Sequence, residues 1–130
     1  MTPLRLCLVI LAVPELGPAV RFYRQALGWA QPVDTPSYAE LTHPSGMRLG
    51  LYQREGFGVN TGRAPFRVPA GELAPTELYF FTDELDEAQR RVLAAGAKLL
   101  SPLAPRGWGD EVAYFEDPFG NVVALARPLA

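Results

Sequence analysis

Residues 8–28, LVILAVPELGPAVRFYRQALG, are echoed by residues 77–96, ELYFFTDELDEAQRRVLAAG. Each copy opens on an apolar run and continues into an amphipathic helix. Val13-Pro14-Glu15-Leu16 matches Thr82-Asp83-Glu84-Leu85, with Ala19 under Ala88, at an offset of 69 residues. In the first helix Leu16, Ala19, Phe22, Tyr23, Ala26 and Leu27 recur at three, four and seven. Leu85, Ala88, Val92 and Ala95 do the same in the second, and Gly28 and Gly96 stand where C-terminal glycine caps belong. Working outward, three strands are predicted after each helix: 30–34, 37–43 and 46–52, then 97–101, 111–116 and 121–127. The last two of each set are joined by turns, His43-Pro44-Ser45-Gly46 and Asp117-Pro118-Phe119-Gly120, with Pro second and Gly fourth. The offset between the turn glycines is 74 residues, so the second copy has five extra residues, which are expected in the loop 101–110. Residues 54–75, rich in Gly, Pro and Arg, read as a linker able to fold over a site. The pattern is α+β, one domain over 1–130, with a βαβββ module in 1–53 and another in 76–130.

Composition narrows the function classes. A chain of 130 residues with 48% hydrophobic and 20% charged residues is an ordinary globular domain. Twelve basic against fourteen acidic residues give a net charge of −2, without the basic excess that nucleic acid or an anionic membrane would need. Cys7 is the only cysteine and His43 the only histidine, which excludes an intrachain disulfide and any two-imidazole mechanism. The apolar run Leu6–Val13 is too short for a membrane span, and Pro14-Glu15 follows where a signal-cleavage site should sit. It reads as a buried first strand in a cytoplasmic protein.

Val13-Pro14-Glu15-Leu16, Phe22-Tyr23 with Leu27-Gly28, Gly96, Trp108-Gly109 and Asp117-Pro118-Phe119-Gly120-Asn121, in this order, resemble the vicinal-oxygen-chelate superfamily of glyoxalases, bleomycin-resistance proteins and extradiol dioxygenases. The resemblance implies two βαβββ modules joined in a curved mixed sheet whose concave face holds a small ligand, and it implies a homodimer. It also implies metal ligands seven residues before the acidic residue that opens each helix and four residues after each hairpin glycine. Those positions hold Leu8, Gly50, Glu77 and Ala124. One carboxylate among them falls short of the three or more protein ligands a catalytic metal takes. Neither metal nor other cofactor is therefore expected, and Gly50 and Ala124 would leave room in the cavity.

If those positions face the cavity, strand alternation brings in their neighbours at plus and minus two. Leu8, Ile10 and Ala12, Arg48 and Tyr52, Tyr79 and Phe81, and Val122 and Ala126 then line it. A three-residue hairpin loop pairs Tyr114 with Ala124 and turns Tyr114 inward; a slip of one residue would present Phe115 instead. The expected ligand-binding set is Arg48, Tyr52, Glu77, Tyr79, Trp108 and Tyr114. Trp108, between two glycines, stands either as a stacking group at the rim or as a plug in the core between modules. Glu77 reads in three ways: a general base if apolar neighbours desolvate it, a polar anchor for a ligand, or a structural partner of Arg48 or a tyrosine. Cys7 falls on the helix side as a buried thiol, and His43 belongs to a solvated turn.

Two functions stay open. One is a metal-independent protein that binds or sequesters an antibiotic or another aromatic or apolar small molecule. The other is a lyase, isomerase or dioxygenase that uses Glu77 as base, or a metal site completed by dimerisation, for instance from Glu40, Glu77 and His43 of different chains. The first reading makes a direct prediction: elemental analysis of purified protein finds less than about a tenth of an equivalent of metal, and Zn²⁺, Ni²⁺, Mn²⁺ and Fe²⁺ leave its Tm unchanged. A tight metal at a hundred times its dissociation constant would instead stabilise the fold by roughly 2.7 kcal/mol.

Overall fold

Every second residue of the strand Leu8–Val13 (β1) turns to the same side, and on that side Leu11 and Val13 are buried. The computed structural model describes residues 1–130 and divides them into two compact units, Met1–Arg67 and Val68–Ala130. In the first unit β1 leads to the helix Leu16–Leu27 (α1), the strands Ala30–Asp34 (β2), Tyr38–Thr42 (β3) and Arg48–Gln53 (β4), and the helix Arg54–Thr61 (α2). The sheet order is β1-β4-β3-β2, with β1 parallel to β4 and the other pairs antiparallel. Register joins Leu11 to Leu51 and Leu51 to Ala39, so Leu11, Val13, Ala39, Leu41, Leu49 and Leu51 form one apolar face. The stripe Leu16, Ala19, Phe22, Tyr23 and Ala26 of α1 is buried with it. At roughly 1.5–3 kcal/mol for each large side chain removed from water, this layer is the main stabilising term of the unit. Glu15 gives α1 no side-chain cap. Gln53 of β4 supplies it instead: its Oε1 accepts from Leu16 N–H at 2.9 Å and its Nε2 donates to the Pro14 carbonyl at 2.6 Å.

The second unit repeats the plan with Glu77–Phe81 (β5), the helix Leu85–Ala95 (α3), Lys98–Pro105 (β6), Asp110–Glu116 (β7) and Val122–Pro128 (β8), in sheet order β5-β8-β7-β6. Leu85 and Val92 of α3 are buried, as are Ala113, Phe115, Val123 and Leu125 on one face of the sheet. Gly28 and Gly96 end α1 and α3 in left-handed conformations, as their spacing predicts. The Asp117 turn is held by its own carboxylate, whose Oδ1 accepts from Phe119 and Asn121 N–H and whose Oδ2 accepts from Asn121 Nδ2. His43 plays the corresponding part in the first unit, where its Nδ1 accepts from Ser45 N–H at 3.0 Å; it is exposed, as a turn residue should be.

Three expectations are corrected. Residues 54–75 are not simply linker, because Arg54–Thr61 is helical and packs on Tyr52 while Val68–Pro75 belong to the second unit. That segment folds over the buried Gly120, whose carbonyl accepts from Ala74 N–H at 2.8 Å. The five extra residues do not lengthen a loop; they extend β6 to Pro105, with register shifts at Leu99/Ser101 and Ser101/Ala104. Cys7 lies just before β1 and is exposed, because the helix-covered alternation starts only once the strand is paired.

Gly50 is a position of close approach. A Cβ there would stand 2.5 Å from Tyr38 Oη and 2.9 Å from Ile10 Cγ1. Gly50→Ala is therefore expected to destabilise by about 1–3 kcal/mol through overpacking. Urea unfolding measures it, and the cost should shrink in a Tyr38→Ala background.

Candidate ligand-binding site

In the first unit, the sheet face away from α1 carries Leu8, Ile10 and Ala12, then Arg48, Gly50 and Tyr52, then Tyr38, Glu40 and Thr42, in register across β1, β4 and β3. Arg48 and Tyr52 thus share the face expected of them. The space over Gly50 is not vacant. The Tyr38 ring occupies it, and Tyr38 Oη donates to Glu40 Oε2 at 2.7 Å. Glu40 is buried, and Arg48 Nη1 donates to its Oε1 at 2.9 Å, so both carboxylate oxygens are satisfied. Arg48 also reaches Cys7, through Nε to the carbonyl at 3.4 Å and Nη2 to Sγ at 3.5 Å. Its carboxylate partner is Glu40, within the same unit. Tyr52 packs edge-on against Tyr38 at 5.2 Å and Phe57 at 6.3 Å, and its hydroxyl accepts from Asn60 Nδ2 at 2.9 Å. The centre of this face is filled by its own side chains, while Ile10 on the edge strand stays 37% exposed. Sequence reading missed Tyr38 because β3 contains none of the positions the resemblance singled out; the Tyr-x-Glu spacing that puts both on one face was the available signal.

In the second unit the corresponding face carries Glu77, Tyr79 and Phe81 of β5, Val122, Ala124 and Ala126 of β8, and Val112, Tyr114 and Glu116 of β7. The hairpin has the register that turns Tyr114 to this side, opposite Ala124, and Tyr114 packs on the buried cluster Val112, Ala124 and Ala126. The room expected over Ala124 is thus covered as well. Arg106 stands over the Tyr114 ring at 5.0 Å, and its Nη2 donates to Ser101 Oγ and to the Pro102 and Val112 carbonyls, which braces the bulged β6–β7 hairpin. Tyr79, Phe81 and Trp108 remain 38%, 64% and 59% exposed. Tyr79 and Phe81 meet edge-on at 5.9 Å. Trp108 Nε1 donates to Tyr79 Oη at 2.9 Å, and Tyr79 Oη donates to Asp110 Oδ2 at 2.6 Å. Crowding by neighbouring atoms, then the bond to Asp110, pushes the Tyr79 phenol up. Trp108 is not a core plug: it belongs to the exposed β6–β7 turn. Asp110, which sequence reading left out, completes the group.

Glu77 begins β5, the edge strand of its sheet, and is exposed. The general-base reading requires apolar neighbours to enclose its carboxylate, and at this position the side chain is exposed. The residues do not suit a divalent metal either. In the first unit Leu8 and Gly50 offer no donor, in the second Glu77 is the only candidate, and no three His, Cys, Asp or Glu side chains converge. No helix is long and apolar enough to cross a membrane.

With this geometry in view, the comparisons define the class. The family model "Glyoxalase/Bleomycin resistance protein/Dioxygenase superfamily" matches residues 5–125, and the chain belongs to that superfamily. Among solved structures it is similar to a glyoxalase/bleomycin resistance protein/dioxygenase from Nocardioides, with 25% identity over 99% of this chain and 86% of that one and a TM-score of 0.82. A glyoxalase-related enzyme from Fulvimarina pelagi matches with 22% identity over 94% and 86% and a TM-score of 0.80. A family enzyme from Burkholderia phytofirmans PsJN matches with 21% identity over 95% and 98% and a TM-score of 0.77. None of the curated proteins matches the chain.

The Tyr38–Glu40 contact has a pH signature. Burial, then the hydrogen bond and the charge of Glu40, push the Tyr38 phenol up to about 12. Its folded value lies above the unfolded value of about 10, so its contribution to stability is complete below pH 10 and is lost as pH rises through 12. The stability of wild-type protein should fall over this window more than that of Tyr38→Phe, as urea unfolding at stepped pH would report. The difference in phenolate absorbance between the two proteins should titrate near the upper end.

Proposed function

We propose that this protein is a metal-independent binder of a small planar aromatic molecule, held on the second unit's open face at Tyr79, Phe81 and Trp108, with Tyr114 as the packed ring behind them. The observation that carries this reading is three large aromatic side chains left exposed, Phe81 and Trp108 both grouped on the hydrogen-bonded Tyr79. Exposed rings of this size are costly unless something covers them, and stacking is what they offer. The donor set supports binding without Lewis-acid assistance, since Leu8, Gly50 and Ala124 cannot ligate a metal. In the first unit Tyr38 and the Glu40–Arg48 pair fill the equivalent face, which directs the ligand to the second.

The polar groups around the rings narrow the ligand further. Trp108 N–H and the Tyr79 proton are already engaged, and Arg106 Nη2 is committed to three acceptors. On the β5 side of the rings, acceptor capacity is available on the Asp110 carboxylate and the exposed Glu77, while the Arg106 guanidinium, with a buried Nε that has no partner, lies on the far side over Tyr114. A ligand carrying an N–H donor or positive charge suits this edge better than a carboxylate. Sequestration of such a molecule is the role we favour, in a homodimer of the kind the resemblance implies.

The test uses 9-aminoacridine and 9-anthracenecarboxylate as probes, with binding followed by the fluorescence anisotropy of the probes themselves. The aminoacridine should bind more tightly by tenfold or more, and Trp108→Ala should lower its affinity by about tenfold, roughly 1.4 kcal/mol. Glu77→Gln should alter affinity only. Failure of both probes to bind, or binding that Trp108→Ala leaves unchanged, would refute the reading.

A further inference from the structure

We infer that Asp110 and Tyr79 are positioning residues that latch Trp108 in a fixed stacking orientation, the indole being carried, more than half exposed, on a glycine-flanked arm. The inference rests on the ligand reading for its purpose but not for its geometry. The arm has anchored ends. Arg106 N–H donates to the Asp110 carbonyl at 2.7 Å, Leu129 N–H donates to the Gly109 carbonyl at 2.8 Å, and the Arg106 guanidinium is tied to Ser101, Pro102 and Val112. Between those ends, Gly107 and Gly109 meet nothing within 4 Å of where a Cβ would stand, and Gly109 has φ +94°. The indole between them is 59% exposed. More than half of the indole surface thus lies outside any packing that could select its rotamer.

The hydrogen bonds do so, and they run in one direction. An indole N–H only donates, and an ionised carboxylate only accepts. A tyrosine hydroxyl has a single proton. Because Tyr79 gives that proton to Asp110 at 2.6 Å, its lone pair is what faces Trp108 Nε1 at 2.9 Å. Asp110 thus orders the indole without touching it. A bound ring then meets a stacking plane whose rotational freedom is already restricted, which lessens the ordering cost of binding.

The experiment reads the free protein. Trp29→Phe leaves Trp108 as the one indole of the two in the chain. In that background, Tyr79→Phe and Asp110→Ala should each raise the acrylamide quenching constant of Trp108 about twofold and lower its fluorescence anisotropy. The urea midpoint should stay close to the parent's, because all three side chains lie at the surface. An unchanged quenching constant in either variant would overturn the latch. A second measurement needs no substitution: exchange of the Trp108 indole proton with solvent, followed by NMR in the unaltered chain, should be several-fold slower than in free tryptophan, and an equal rate would also overturn it. Failure of the acridine probe to bind would count against the ligand reading alone and leave these measurements standing.

Discussion

Each four-stranded sheet of this chain has two faces but only one long amphipathic helix, and the rest of the structure follows from that inequality. The helix takes the face formed by Leu11, Ala39, Leu49 and Leu51 in the first unit, and by Ala113, Phe115, Val123 and Leu125 in the second. Strand alternation sends the remaining side chains to the opposite face, where no helix of that size is available to cover them. The chain covers the centre of that face with tyrosine over a small residue: Tyr38 over Gly50, and Tyr114 against Ala124. A superfamily position associated with metal binding thus becomes the floor beneath an aromatic ring.

The two units then diverge in how their polar groups are satisfied. In the first, Glu40 accepts from both Tyr38 and Arg48, and Tyr52 sits between Tyr38 and Phe57. A buried carboxylate with both oxygens paired resists intrusion, because any ligand that displaced a partner would leave charge desolvated. In the second, the hydrogen bonds run between surface groups and leave aromatic area open. Similar folds therefore produce one face whose centre is occupied by a buried acid and its partners and another that leaves three aromatic rings exposed, and the difference lies in whether the acid stands inside the sheet or at its rim.

Superfamily membership brings the fold and leaves the chemistry to individual side chains. On the reading proposed above, those side chains serve recognition. Glu77, the residue whose type and position most suggested acid–base work, lies at the end of an edge strand in water. Asp110, which no motif marks, organises a tyrosine and a tryptophan. A carboxylate's role depends on what surrounds it more than on its place in a pattern.

The sequence by itself determined the duplicated βαβββ plan and the spans of the two long helices with their glycine ends, because periodicity and turn composition are local properties, and it offered the register that pairs Tyr114 with Ala124 as one of two, between which the paired sheet decided. Arg48, Tyr52, Glu77 and Tyr79 were assigned to their faces for the same reason, since alternation needs only a count. The tertiary structure alone decided that Tyr38 fills the space above Gly50, that Arg48 pairs with Glu40, that residues 54–61 coil against Tyr52, and that Asp110 reaches Tyr79 across 31 positions. Each of these depends on distances between strands or between a strand and a loop. Such distances are set when the sheet pairs and its side chains compete for the same volume, and no spacing along one segment records the outcome.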